Sequence, residues 1–101
     1  MKIIEKLMSL IEDELDDAEK YAHCALKFGD EYPELRSVFR NLSHEEMGHK
    51  EMLHAQVVKL IEKHRLEHGD PPVAMLAVYE HLHERAIERA ARVRALQDEL
   101  R

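Results

Sequence analysis

Apolar residues recur along the first quarter of the chain in alternating steps of three and four: Ile4, Leu7, Ile11, Ala18, Tyr21, Ala25 and Phe28, with Glu14 set among them. That spacing keeps side chains in line on one face of an α-helix. A second stripe runs through Leu35, Phe39, Leu42, Leu53 and Leu60, with Glu46 and His49 inside it, and a third through Val73, Leu76, Tyr79, Leu82, Ala86, Ala90, Val93 and Leu100. Strong turn signals separate the stripes at Gly29-Asp30-Glu31-Tyr32-Pro33 and His68-Gly69-Asp70-Pro71-Pro72. Three helices are therefore predicted, at about 3–28, 34–67 and 73–100. Gly29 reads as a C-terminal cap and Pro33 as a first-turn proline, so the first two helices form a long antiparallel hairpin joined by a short turn. No repeat at a fixed period and no low-complexity tail interrupts this plan.

The polar interruptions carry the chemistry. Antiparallel helices joined near residue 31 bring positions to equal depth when their numbers sum to roughly 62, so Glu14 should face the Glu46/His49 pair. The neighbouring layers are apolar, with Ala18, Tyr21 and Leu42 on one side and Ile11 and Leu53 on the other. A carboxylate in an apolar seam is costly unless it is paired, protonated, hydrogen-bonded or bound to a cation. A spacing of three puts Glu46 and His49 on one helical face, where a carboxylate oxygen and an imidazole nitrogen reach the same ion. Di-iron carboxylate bundles take one Glu from each of two helices and a Glu-x-x-His from each of the other two. This chain has half of that set. Metal ligation by Glu14, Glu46 and His49 is the expectation, against a buried hydrogen-bond network that only fixes helix register.

Composition narrows the picture. At 101 residues, with 36% charged and 5% aromatic residues, the chain suits one all-α domain spanning 1–101. A net charge of −6 argues against a nucleic-acid partner and favours metal cations. The single Cys24 can form neither an internal disulfide nor a CxxC pair. No N-terminal run resembles a signal peptide and no apolar stretch approaches the roughly 20 residues of a membrane span, so a cytoplasmic protein without a membrane partner is expected.

Two segments carry a family likeness. Glu14-Leu15-Asp16-Asp17-Ala18-Glu19-Lys20-Tyr21 followed by Leu42-Ser43-His44-Glu45-Glu46-Met47-Gly48-His49 resembles the metal-binding helices of the ferritin-like superfamily, particularly rubrerythrins. Pro33-Glu34-Leu35 through Glu45-Glu46-Met47-Gly48-His49 is similar to the second helix of short encapsulated ferritins, which build their iron site between two chains. The likeness covers about the first two thirds of the chain. It implies Glu14 as the helix-1 ligand, Glu46 as a bridging carboxylate and His49 as the terminal nitrogen ligand. Rubredoxin-like cysteine pairs are lacking, which excludes rubrerythrin-style electron delivery from within these residues. An encapsulin shell is a conceivable partner, but Gln97-Asp98-Glu99-Leu100-Arg101 does not resemble a targeting tail.

Other residues compete less well. Glu80 and His83 form a second Glu-x-x-His and are the main rival for completing the site within one chain, yet the depth partner of Glu46/His49 on the third helix falls near residue 90, roughly 13 Å further along. Glu19 and the acidic run Glu12, Asp13, Asp16 and Asp17 read as a solvated face, with cation attraction as the alternative. Tyr21 and Cys24 read as packing residues; His44, His54, His64, His68 and His81 read as surface. Arg85, Arg89, Arg92, Arg94 and Arg101 complement the dipole of the last helix. Gly48, costly in mid-helix by about 1 kcal/mol, suggests a close neighbour or a local bulge.

The expectation is thus a ferritin-like four-helix bundle completed by homodimerisation or a higher homo-oligomer, holding two iron ions per dimer interface. The resemblance implies a ferroxidase that oxidises Fe(II) with oxygen or peroxide, in iron storage, detoxification or oxidative-stress defence. The alternatives are a manganese catalase-like enzyme, since carboxylate-rich sites also suit manganese, and a metal-free helical interaction module.

Overall fold

Two positive-φ glycines end the first two helices. Gly29 (φ 54°) stops α1, Lys2–Phe28, and Gly69 (φ 79°) stops α2, Pro33–His68, each in a conformation that side chains with a Cβ adopt at a cost. A short 3₁₀ turn, Gly29–Glu31, links them, and α2 opens on Pro33, where the missing N–H is no loss. After Pro71-Pro72, which cannot continue a helix, α3 runs Val73–Glu99. This computed structural model describes residues 1–101, and all of its regular structure is helical. The fold is a rod of 56 × 18 × 18 Å, its length set by α2, whose 36 residues span about 54 Å at about 1.5 Å per residue. No helix is long and apolar enough to cross a membrane.

The hairpin has the expected register. Ser43 Oγ donates to the carbonyl of Ala18 at 2.7 Å, and the Tyr21 ring packs on Phe39 at a centroid distance of 5.9 Å. The third helix lies mainly along α1 and touches α2 sparsely. It covers the α1 face made by Ile4, Met8, Ile11, Leu15, Ala18, Ala22 and Ala25, all buried, against Tyr79, Ala90, Val93 and Leu100. Gln97 Nε2 donates to Ser43 Oγ at 2.9 Å and ties α3 to the hairpin near its turn. Arg89 pairs with Asp16 and Glu19, and Arg85 with Glu12.

These contacts correct three expectations. The buried seam of α1 includes Met8, Leu15 and Ala22, while Leu7, Glu14, Tyr21 and Phe28 stand half-exposed beside it. A helix packed by two neighbours buries the sector between them, and α3 draws that sector away from Glu14. The acids Glu12, Asp16 and Glu19 are partners for α3 rather than a purely solvated face, and Arg85 and Arg89 serve that contact rather than the helix dipole alone. Gly48 has no close neighbour: a Cβ there would meet nothing within 4 Å, and α2 runs through it without a bulge.

Candidate metal centre

Glu14 sits at the middle of α1, and Glu46 and His49 lie one helical turn apart on α2 at the same level of the hairpin. The structure brings the three together. Each offers one ligand atom, and the three atoms lie within 4.8 Å of one another. His49 Nδ1 is 3.5 Å from Glu14 Oε2 and 3.4 Å from Glu46 Oε2. The environment is asymmetric: the carboxylates are 25% and 17% exposed, the imidazole 53%.

Glu14 is the telling residue. Its side chain as a whole reaches solvent, but Oε2 is fully covered and has no hydrogen-bond partner, with His49 Nδ1 3.5 Å away. Leaving such an acceptor unsatisfied costs about 1–3 kcal/mol, more when it is charged. The neighbouring Glu46, to which a protonated Glu14 could donate, followed by burial and the negative charge of Glu46, raises the Glu14 pKa above its ordinary 4.5, while His49 pulls the other way. Crowded acids with one orphaned oxygen form a site that gains from a cation: the ion satisfies the buried oxygen and removes the reason to hold a proton. The donor set of two carboxylates and one imidazole fits iron or another first-row divalent ion.

The Rubrerythrin family profile matches residues 5–74, which are most of α1 and all of α2 with the turn that follows. The chain belongs to the rubrerythrin family. Rubrerythrin-type domains are ferritin-like di-iron domains that typically bind iron, and the matched segment contains Glu14, Glu46 and His49. All but the first two residues of the third helix lie beyond it. No curated protein and no solved structure matches the chain.

The rival pair goes elsewhere. Glu80 and His83 line a cavity of about 290 Å³ between the far ends of α2 and α3, together with His54 and Tyr79. At the level of the centre, α3 instead presents Arg94, 3.4 Å from Glu51, and Gln97. Sequence reasoning missed His54, assigned to the surface but half-buried, with its ring stacked on His83. One signal could have found it: Glu51-Met52-Leu53-His54 is a further Glu-x-x-His, the mirror of Glu80-His81-Leu82-His83.

Proposed function

We propose that this rubrerythrin-family chain is a ferroxidase-type di-iron protein, assembled from two copies that join their hairpins across the face bearing Glu14, Glu46 and His49. The observation that carries the reading is the buried, unpartnered Glu14 Oε2 facing Glu46 and His49. One copy supplies two carboxylates and one imidazole; a twofold partner doubles this to four and two, the set used by di-iron bundles. The face is open for such a partner. α3 covers the opposite sector of α1, whereas His49 is half-exposed, and Met52, one turn after it on α2, and Val38, about three turns before it, are 70% and 46% exposed. Apolar side chains at helical spacing around a polar centre suit a helix-on-helix contact between copies.

Bound iron would supply one-electron redox chemistry, two Fe(II) giving the two electrons that, with two protons, would reduce oxygen to hydrogen peroxide or peroxide to water. The chain's own residues have simpler tasks. Glu14 and Glu46 would bind as deprotonated carboxylates whose charges balance the cation. His49 turns its ring nitrogen to the same point. A second copy would close the half-exposed side of His49 and exclude water there.

Anaerobic Fe(II) titration with sedimentation tests this. The expected result is two irons per two chains, a dimer or a multiple of it, and iron oxidation on adding oxygen or peroxide that is lost in Glu46→Leu. A strictly monomeric protein holding two tight irons, or normal oxidation by Glu46→Leu, would overturn the assignment.

A further inference from the structure

Four of the chain's five Phe and Tyr rings lie in one unbroken row at the turn end of the hairpin, and both ends of the row are tyrosines. The Tyr21 ring is 5.9 Å from Phe39, Phe39 is 5.3 Å from Phe28, and Phe28 is 6.2 Å from Tyr32, centroid to centroid. Tyr21 follows Glu14 by two helical turns on α1, about 10 Å along the axis, and its Cα–Cβ bond tilts back toward Glu14, as all do in a helix. On α2 the same tilt sends Phe39 toward the turn, where Phe28 and the half-exposed Tyr32 continue the row. The remaining ring, Tyr79, is buried at the opposite end of the molecule and accepts a hydrogen bond from the Met1 amine at 2.6 Å. Lys20 Nζ stands 5.8 Å from the centroid of the Tyr21 ring, whereas Tyr32 has no such cation. An ammonium attracted to the electrons of a ring makes an electron harder to remove from it. Loss of an electron is thus easier at Tyr32 than at Tyr21, and an oxidised state formed at Tyr21 runs downhill to the surface.

We propose that Tyr21, Phe39, Phe28 and Tyr32 form a redox relay that carries an oxidising equivalent from the metal centre to the surface at the hairpin turn. The relay rests on the di-iron reading and adds to it the fate of a half-filled site. Cleaving peroxide to water and hydroxide takes two electrons, and a centre holding a single Fe(II) has one to give. Tyr21 supplies the second. Hydrogen peroxide, Fe(II) and a tyrosine phenol then give water, hydroxide, Fe(III) and a tyrosyl radical, the phenol proton ending on the water. Tyr32 returns an electron to Tyr21 and releases its own proton to solvent, while Tyr21 takes a proton back. Neither phenylalanine is oxidised; the two rings are the packed bridge between the phenols. At Tyr32 the radical meets a thiol or another one-electron reductant from solution. Without the relay the missing electron comes from oxidisable side chains near the centre, such as Met52, which is 70% exposed and one turn after His49.

Full-length protein given one Fe(II) per two chains without air, then peroxide and a nitroso spin trap, should carry the trapped radical on Tyr32, located by peptide mass spectrometry. Tyr32→Phe should shift the adduct to Tyr21. Tyr21→Phe, which keeps the ring and its packing, should lose the Tyr32 adduct and increase sulfoxide at Met52. Tyr79 should stay unmodified throughout. A Tyr32 adduct undiminished in Tyr21→Phe, as attack by radicals from solution would leave, overturns the proposal, as does equal modification of Tyr79. A second arm needs no iron. Cys24→Ser/His49→Cys protein carries a ruthenium photo-oxidant at position 49, its fold checked by circular dichroism, and is flashed in the presence of an electron acceptor. Tyrosyl absorption and an adduct on Tyr32, both lost on adding Tyr21→Phe, are expected. Failure of this arm removes the relay even where wild type oxidises iron normally. Success of this arm in a chain whose wild type binds no iron would instead sink the di-iron reading and leave the path between the tyrosines standing.

Discussion

The two sides of α1 are built to opposite rules. Toward α3 the helix shows Ile4, Ile11 and Leu15, each no more than 1% exposed, then Ala18, Ala22 and Ala25, whose small side chains let the neighbouring helices come close. Its buried polar tie there, Gln97 to Ser43 to the Ala18 carbonyl, is complete. On the other side Leu7, Glu14, Tyr21 and Phe28 are half-exposed, and a buried carboxylate oxygen is left without a partner. The first side is finished within the chain. The second stays open within the chain, and on the function proposed here a cation and a second copy would finish it.

The comparison breaks first at Leu15. Leu15→Ala on the finished side should cost about 2–5 kcal/mol, transfer energy plus a cavity in a packed seam, read by urea unfolding of the metal-free protein. A cost below about 1 kcal/mol would mean the seam is not the core. Glu14→Leu, one residue away, should do the reverse, raising metal-free stability by about 1–3 kcal/mol by removing the orphaned oxygen while abolishing iron oxidation. If this variant is strongly destabilised, the acid has a structural duty that metal binding does not explain.

A smaller effect comes from pH. Glu14 binds its proton more tightly in the folded state, first because the protonated acid could donate to the neighbouring Glu46 and then through burial. Its contribution to metal-free stability is therefore present at and below the ordinary 4.5 and lost as pH rises through the raised value. Iron binding needs the deprotonated ligands and strengthens over the same window. Unfolding of wild type and Glu14→Gln at pH 4 and pH 7 should show wild type relatively favoured at the acid end, while bound iron falls there. A difference that is flat with pH, or of opposite sign, removes the protonated-acid account. The smallest effect is expected at Arg89, where alanine breaks the ion pairs to Asp16 and Glu19 for about 1 kcal/mol or less, reduced further by salt. A loss comparable to Leu15→Ala would make charge, not apolar packing, the main tie between α1 and α3.

Much of this was legible in the residues. Two Gly/Pro-rich turns and period-3.6 stripes marked three helices to within a residue or so at either end, because glycine and proline act through local backbone sterics that need no partner. The meeting of Glu14 with Glu46 and His49 was also legible, since a short turn between straight antiparallel helices fixes depth by counting alone. Depth also kept Glu80 and His83 away from that centre.

Which side of each stripe becomes the core was not legible in this way. Leu7 and Met8, or Glu14 and Leu15, lie about 100° apart around a helix, and both members of each pair fit an apolar stripe once a second neighbour is allowed. Only the docking of α3 on α1 chose Met8, Leu15 and Ala22 and left Glu14 at the edge. The same docking turned Glu12, Asp16 and Glu19 into partners for arginines and brought His54 against His83, contacts between residues 29 to 77 positions apart. By itself the sequence determined the helices, the hairpin register and the three polar residues at its centre, all consequences of local geometry. The tertiary structure decided which face is closed and which is open, because burial depends on where a third helix finds the best apolar fit, and no local periodicity encodes that choice.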